Sequence, residues 1–216
     1  SNVSFEINLN KKVLSRLEQK EAPQKLMPES NKIQSLLQKL SACERPLIMI
    51  GSGVNASGAA ALLKKFIDRN DFPLVYTHSC PDAISLSHPG VIGSVGSMGC
   101  SRAGAFAVQN ADFLLVLGSK LNSYTTGPDF CDFARNAFKV VVDIDQMEHS
   151  KVGVNIDQLL IADINVFLGA LPDRRITRDI SNWLDKCKSW KHRYRSVEHF
   201  PRASKVDLYE LVEALD

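Results

Sequence analysis

Three short segments of the sequence place glycines, a lysine and carboxylates where a chain could bind a phosphate-bearing ligand. Residues 51–53 read Gly-Ser-Gly, residues 118–120 read Gly-Ser-Lys, and residues 143–145 read Asp-Ile-Asp. Glycine lets backbone amides approach a pyrophosphate closely, and the N-terminus of a following helix attracts anions. A carboxylate at the end of a strand accepts hydrogen bonds from ribose hydroxyls. Together the three segments favour a site for a dinucleotide.

Each segment also has an ordinary structural interpretation. Glycine is the usual residue in tight turns, Asp143 and Asp145 are typical turn formers, and Lys120 has the character of a surface lysine. The G-x-G-x-x-G fingerprint of dinucleotide-binding folds is only partly met, because Ala56 occupies the position of the third glycine. The prediction of a binding site therefore depends on all three segments lying at the same edge of one sheet.

The elements that would position these segments follow from the apolar pattern. Runs of apolar residues predict strands over 46–50, 73–77, 112–117, 138–143 and 158–162. Helical periodicity predicts helices over 31–42, 57–69, 101–110, 128–136 and 164–171. Continuously apolar strands are buried on both faces, as in a parallel sheet covered by helices. The prediction is therefore an α/β fold with a doubly wound, mainly parallel six-stranded sheet, helices on both faces, and C-terminal helices near 177–196 and 205–215.

A glycine-rich segment over 93–99 separates the second predicted strand from the helix at 101–110. Its glycines, at positions 93, 96 and 99, are too closely spaced for a stable helix. We predict an open loop that lets the chain run past an extended cofactor or a flat ring. The alternative is a flexible surface loop.

Composition narrows the functional classes. The chain has 216 residues and a net charge of +2, from 26 basic and 24 acidic residues, which argues against a nucleic-acid-binding surface. The basic stretch over 186–195 is interpreted as a solvated helix face. No apolar run reaches the ~20 residues that cross a bilayer, and no leader precedes the first strand, so neither a membrane partner nor export is expected.

The cysteines and histidines do not suggest a catalytic or metal site. There are five cysteines, none in a C-x-x-C pair, which predicts reduced thiols in a cytoplasmic protein. Cys80 and Cys100 are interpreted as inert thiols near the predicted crevice. His78 follows a predicted strand and His88 precedes a proline, and neither belongs to a Ser-His-Asp or Cys-His arrangement.

An ordered set of motifs resembles a known family. The segments at 45–53, 88–93, 96–99, 110–121 and 142–145 are together similar to the central domain of thiamine diphosphate-dependent enzymes of the acetolactate synthase type. Residues 106–112 and 133–139 are similar to the branch of that family that works in polysaccharide and sugar biosynthesis. The resemblance covers about residues 3–215.

The resemblance implies a place for this chain within a larger enzyme. In that family a pyrimidine-binding domain, a central domain of the DHS-like NAD/FAD-binding type and a pyrophosphate-binding domain lie in series, usually in a homo-oligomer. Residues 1–30 would be the end of the preceding domain with its linker, including a strand at 3–9. Residues 31–173 would form the central domain, and 174–216 a helical linker towards a missing C-terminal domain. The catalytic glutamate and the motif that binds magnesium and thiamine diphosphate would lie elsewhere, so the chain alone is expected to be an inactive part of a transferase or lyase.

The resemblance also implies FAD, or ADP, in the central domain. By motif position, the phosphates and ribose would face Gly51, Ser52 and Gly53, and the extended part of the cofactor would run beside Ser97, Met98 and Gly99. Gly118 and Lys120 would contact the pyrophosphate or ribose, and Asp143, Ile144 and Asp163 the adenosine end. One departure is Lys120, where FAD-binding relatives usually carry an arginine with its planar, bidentate guanidinium.

Two other functions compete with this interpretation. The chain could be a stand-alone, non-catalytic nucleotide-binding or structural module. A sirtuin-like deacylase would share the sheet topology but needs paired C-x-x-C zinc ligands, which the sequence lacks.

Overall fold

A computed structural model describes residues 26–97, 100–150 and 153–194, together with Leu211. The strands within these residues are β1 Pro46–Ile50, β2 Leu74–Thr77, β3 Val91–Val95, β4 Phe113–Leu117, β5 Phe138–Asp143 and β6 Gln158–Ile161. The helices are α1 Ser30–Ala42, α2 Gly53–Ala56, α3 Ala60–Asn70, α4 Arg102–Asn110, α5 Ser123–Thr126, α6 Ile164–Ala170 and α7 Ser181–Arg193. Two 3₁₀ turns, Phe130–Asp132 and Glu148–Ser150, flank β5. The predictions for 3–9, for Met98 and Gly99, and for 205–215 apart from Leu211 lie outside the described residues.

The strands form one six-stranded sheet in the order β3-β2-β1-β4-β5-β6, and every neighbouring pair is parallel. The chain runs outwards from β1 to β3, returns to the centre, and runs outwards in the other direction from β4 to β6. The order therefore reverses between β1 and β4, which is the topological switch point of a doubly wound sheet. The predicted fold class is confirmed.

The central strands form the middle of the core. All five residues of β1 and all five of β4 are buried, because helices cover both faces of the sheet at these positions. Helix α3 packs against α6, while α4 packs against α7 and β3. The crossovers through α3 and α4 run in opposite directions across the sheet, so right-handed connections place these two helices on opposite faces. Within the described residues, no helix combines the length and apolar character needed to span a membrane.

Two local predictions were wrong. Residues 91–95, in part predicted as an open loop, form the edge strand β3, paired with β2. The helix predicted over 128–136 is only the 3₁₀ turn Phe130–Asp132 followed by further turns, with Ala134 at a φ of 46°. The buried Lys139 ammonium donates hydrogen bonds to the carbonyls of Ala134 and Ala137 at 3.1 and 3.0 Å. These contacts hold the turns against β5.

Candidate functional site

The three segments singled out in the sequence meet at the carboxyl edge of the sheet. Ile50 pairs with Leu117, and Leu117 pairs with Val142, so the residues that follow lie side by side on three neighbouring strands. These residues are Gly51, Gly118 and Asp143. In an open α/β sheet, ligands bind outside the carboxyl ends of the strands next to the switch point. The structure therefore brings the predicted residues to the place where this fold binds ligands.

The glycines at this edge are needed for packing within the protein. A Cβ atom on Gly51 would lie 2.4 Å from the carbonyl oxygen of Gly118, and one on Gly53 would lie 2.7 Å from the Cα of Gly118. Ile164, the first residue of α6, closes the same contact, with its Cδ1 3.2 Å from the Cβ position on Gly53. The glycines at the ends of β1 and β4 thus allow two backbones to touch, whether or not a ligand is present.

Backbone amides of these glycines already donate within the protein. The amide of Gly51 donates to the carbonyl of Leu117 at 2.9 Å, and that of Gly53 donates to Gly118 at 3.1 Å. The Gly118 amide donates to Val142 at 3.0 Å. A pyrophosphate would have to find its donors at other groups along the edge. Ser52, at the exposed tip between the two glycines, is one such residue.

Two other predicted residues are open to an approaching ligand. The Lys120 side chain is 71% exposed, and its ammonium lies 3.9 Å from the Glu148 carboxylate. Ile144 is 49% exposed although it is apolar, and it lies directly beyond the end of β5. A cation and an exposed apolar side chain at one edge suit a ligand with an anionic part and a flat apolar part.

Ser97 and Asp163 are held by neighbouring loops. Ser97 donates from its amide to the carbonyl of Tyr124 at 2.7 Å, which ties the segment after β3 to α5. Asp163 is the N-cap of α6, and its Oδ1 accepts from the Val166 amide at 3.1 Å. Its own amide donates to Leu26 at 3.1 Å. The Asp163 carboxylate is therefore already partly used by the protein.

The predicted carboxylate Asp143 faces a buried histidine. His149 Nε2 lies 3.2 Å from Oδ2 of Asp143, while Oδ1 accepts from the Asp145 amide at 3.0 Å. Burial raises the pKa of Asp143, but His149 and the amides of Asp145 and Ile144 outweigh it, so the pKa lies below its ordinary value. Asp143 is an anion at neutral pH.

Sequence reasoning missed His149 and Tyr124. His149 lies in the 3₁₀ turn Glu148–Ser150, where no periodic pattern marks it as buried. Tyr124 is 63% exposed in the short helix α5, and a single aromatic in a polar segment gives little signal in a sequence. His88, which was predicted to be a turn residue, contacts Asp68 at 2.6 Å and accepts from the Gly90 amide at 3.0 Å.

The surroundings of Cys80 disfavour reactivity. All five cysteines are free thiols. Cys80 is buried close to the end of β2, and burial together with the nearby Asp82 raises its pKa. A thiol with a raised pKa is a poor nucleophile at neutral pH.

Two clefts border the sheet at opposite edges. One of about 250 Å³ lies at the carboxyl edge and is lined by Lys120, Asn122, Ser123, Phe130, His149 and Val154, among others. The other, of about 640 Å³, lies at the amino edge between Arg45, Asn110 and α7. The larger cleft is thus remote from the predicted residues. Among the residues that the structure describes, no group of three or more His, Cys, Asp or Glu side chains could hold a metal ion.

Comparison with known proteins agrees with the observed fold. The family model described as thiamine pyrophosphate enzyme, central domain, matches residues 33–171. An acetolactate synthase large subunit from Lactococcus lactis is 30% identical over 153 residues, which are 70% of this chain and 26% of the relative. A probable acetolactate synthase large subunit from Methanococcus aeolicus is 30% identical over 171 residues, 74% of this chain and 28% of the relative.

A relative named for another activity also matches. A 3D-(3,5/4)-trihydroxycyclohexane-1,2-dione hydrolase from Lacticaseibacillus casei is 28% identical over 102 residues, 47% of this chain and 16% of the relative. The chain spans about a quarter of the length of the acetolactate synthases named above, 26% and 28%.

Proposed function

The chain belongs to the thiamine pyrophosphate enzyme family, as its central domain, and we propose that it is part of an acetolactate synthase-like carboligase or decarboxylase. Such an enzyme joins an acyl carbanion derived from a 2-keto acid to a second carbonyl, with thiamine diphosphate supplying the carbanion chemistry. In this proposal, residues 31–173 are the central domain, and 1–30 and 174–216 lead to pyrimidine- and pyrophosphate-binding domains in a cytoplasmic homo-oligomer. Those other domains would hold thiamine diphosphate and magnesium.

The role that we propose for this domain is to bind FAD or ADP at the carboxyl edge of the sheet. The observation that supports it is the alignment of Gly51, Gly118 and Asp143 on three neighbouring strands next to the switch point. The nucleotide's pyrophosphate would lie along residues 51–53 and near the Lys120 ammonium. The adenosine end would lie beyond β5, beside Ile144 and Asp143. Bound there, FAD would act as a structural group that fills the edge.

The residues present fit a nucleotide in some respects and restrict it in others. Lys120 is 71% exposed, so its ammonium is free to swing towards a phosphate. It acts as a point charge, without the paired N–H donors of an arginine. Because the amides of Gly51 and Gly53 donate to protein carbonyls, phosphate binding would depend on Ser52 and Lys120. These restrictions favour a ligand held by one cation and by apolar contact rather than by a cradle of amides.

Replacing Lys120 with alanine tests the proposed phosphate contact. We expect the variant to bind ADP about fivefold more weakly than the unchanged chain, the effect of losing one exposed charge pair. Isothermal titration calorimetry at low ionic strength is the measurement, because salt screens such a contact. Lys65→Ala is the matched control, since Lys65 is an exposed lysine on α3. Equal losses in both variants would rule out the Lys120 contact, and failure of the unchanged chain to bind FAD or ADP would rule out the nucleotide site.

The proposed dependence on other domains has its own test. The purified chain, given thiamine diphosphate, magnesium and pyruvate, is expected to show no turnover above the reaction without protein. The production of acetolactate or carbon dioxide is the quantity to follow. Turnover by the chain alone would contradict the proposal that the catalytic residues lie in other domains.

A further inference from the structure

His149 has a buried imidazole ring whose Nε2 atom makes no hydrogen bond. Its side chain is 2% exposed, and Nε2 is the one buried side-chain nitrogen or oxygen without a hydrogen-bond partner in the part of the chain that the structure describes. This nitrogen lies 3.2 Å from Oδ2 of Asp143, at an angle outside hydrogen-bond geometry. Leaving a buried polar atom unpaired is costly, so the arrangement calls for an explanation.

The contact is favourable in only one protonation pattern. If Nε2 carried a lone pair, that pair would face a carboxylate oxygen, and the two would repel each other. With a proton on Nε2, the ring is either neutral or an imidazolium, and both forms attract the carboxylate. Other charges near this pair are the Asp145 and Glu148 carboxylates on the same loop and the Lys120 ammonium from the loop after β4, 3.9 Å from Glu148. A small rotation of either side chain would turn the oblique contact into a hydrogen bond.

We propose that His149 is a positioning residue that holds Asp143 ionised and aimed along the carboxyl edge, so that its carboxylate can accept hydrogen bonds from a ribose. The inference rests on the proposed function, because it assigns the ribose end of a nucleotide to Asp143. The Asp143 side chain is 13% exposed, so a narrow opening connects it with the edge. Its Oδ1 accepts from the Asp145 amide, and each carboxylate oxygen has a second lone pair for a ligand.

The pH dependence follows from the burial of Asp143. Burial raises the pKa of this carboxyl, and His149 is the first of the groups that oppose it. Without His149, the pKa of Asp143 rises, and the group takes up a proton at a higher pH than in the unchanged chain. A protonated Asp143 is a weaker acceptor for ribose hydroxyls. The benefit of His149 therefore increases as the pH falls into the range in which Asp143 without this neighbour would take up a proton.

The test compares His149→Leu, which removes the donor, with His149→Gln, which keeps an N–H donor that does not titrate. At pH 8 we expect His149→Leu to bind ADP about tenfold more weakly, because a misplaced Asp143 carboxylate loses one hydrogen bond from a ribose hydroxyl. The ratio of its Kd to that of the unchanged chain is expected to grow as the pH falls from 8 to 5. His149→Gln is expected to bind within about twofold of the unchanged chain at pH 8. His192→Leu, at an exposed histidine on α7, is the control and should bind normally.

The outcomes separate this inference from the proposed function. If the unchanged chain binds neither ADP nor FAD, the nucleotide site itself is wrong. If it binds ADP but His149→Leu binds equally well at every pH, the site stands and the positioning role is overturned. A loss that is constant with pH and equal in the Leu and Gln variants indicates packing alone and also overturns it.

A measurement on the unchanged chain keeps the inference testable if the variants fail to fold. The carboxyl ¹³C signal of Asp143 can be followed by NMR from pH 5 to 8 without any nucleotide. We expect the signal to stay that of a carboxylate throughout, because His149 and the neighbouring amides hold the pKa of Asp143 below its ordinary value. A change to the signal of a protonated carboxyl within this range would overturn the proposed role of His149.

Discussion

Replacing Gly118 with alanine is expected to lower the free energy of unfolding by about 3 kcal/mol, with no ligand present. Gly118 has a φ of 61°, a left-handed conformation that costs an L-residue about 1–2 kcal/mol. A Cβ atom there would also lie 2.6 Å from the Cα of Gly53 and from Cδ1 of Ile164. The first of these neighbours is backbone and cannot rotate away, so β1 and β4 must separate at their ends. Overpacking of this kind adds about 1–3 kcal/mol.

Gly58→Ala is a control that separates strain from packing. Gly58 has nearly the same φ, 67°, but a Cβ atom there would meet no atom within 4 Å. We expect this variant to lose only about 1 kcal/mol, from backbone strain alone. Urea unfolding measures the loss in the free energy of unfolding for each variant. Equal slopes of free energy against urea concentration confirm that both variants unfold in two-state transitions. Equal losses would show that the contact between the β1 and β4 ends contributes little.

This experiment distinguishes two reasons for glycine at the end of a buried strand. If the glycines served only to admit a ligand, alanine at position 118 would weaken ligand binding. The free chain would then lose only the stability that corresponds to backbone strain at the left-handed φ. The close approach of Gly51 and Gly53 to Gly118 instead makes the motif part of the core contact between two strands. A ligand would then bind over an edge that is already closed.

The central part of the fold could be predicted because burial dominates there. β1 and β4 are continuous apolar runs, and β5 contains one between Lys139 and Asp143; an apolar run bounded by glycine or aspartate has few other structures available. The handedness of the connections then places their ends at one edge. For that reason the meeting of Gly51, Gly118 and Asp143 was predictable from residue types and order.

The edge strand β3 could not be predicted from its own residues. Gly93 and Ser94 interrupt its apolar pattern, and glycine is unfavourable inside a strand. The structure shows what the glycines there permit: a Cβ on Gly93 would lie 2.3 Å from Ser101 Oγ, and one on Gly104 would lie 2.3 Å from the Ser94 carbonyl oxygen. Helix α4 therefore packs unusually close to this strand. Such a requirement comes from a partner distant in the sequence, which local patterns do not reveal.

The details of the site were less predictable than its place. The path of the loops after the strands decides which backbone amides at the edge already donate hydrogen bonds within the protein. The same path turns His149 inwards to face Asp143. Those loops are held by a few hydrogen bonds, such as those from the amide and the hydroxyl of Ser97 to the Tyr124 carbonyl. A sequence without periodicity carries little information about such contacts.

Replacing Asn70 with leucine is the second large effect that we expect, a loss of about 3 kcal/mol in the free energy of unfolding. Asn70 ends α3, is fully buried, and joins this helix to the segment at 176–177. Its Nδ2 donates to the Phe66 carbonyl at 2.9 Å, and its Oδ1 accepts from the Ile176 amide at 2.7 Å. Leucine has the same branched arrangement of side-chain heavy atoms but leaves the part-buried Ile176 amide without this acceptor, and a donor left unpaired away from water costs about 1–3 kcal/mol.

Asn110 provides a matched control within the same chain. It ends α4 in the same way, and its Nδ2 donates to the carbonyl of Phe106, four residues earlier, at 2.9 Å. Asn110 is exposed, so water can replace the lost partner, and Asn110→Leu is expected to change stability by less than about 0.5 kcal/mol.

Hydrogen exchange gives a second readout, because Asn70 anchors the segment at 176–177 that leads into α7. Amides of α7 should exchange faster in Asn70→Leu and at an unchanged rate in Asn110→Leu. If both variants lose the same stability, the bond at Asn70 acts only within its own helix, and the anchoring of α7 must come from the packing of Trp183 and its neighbours against the core.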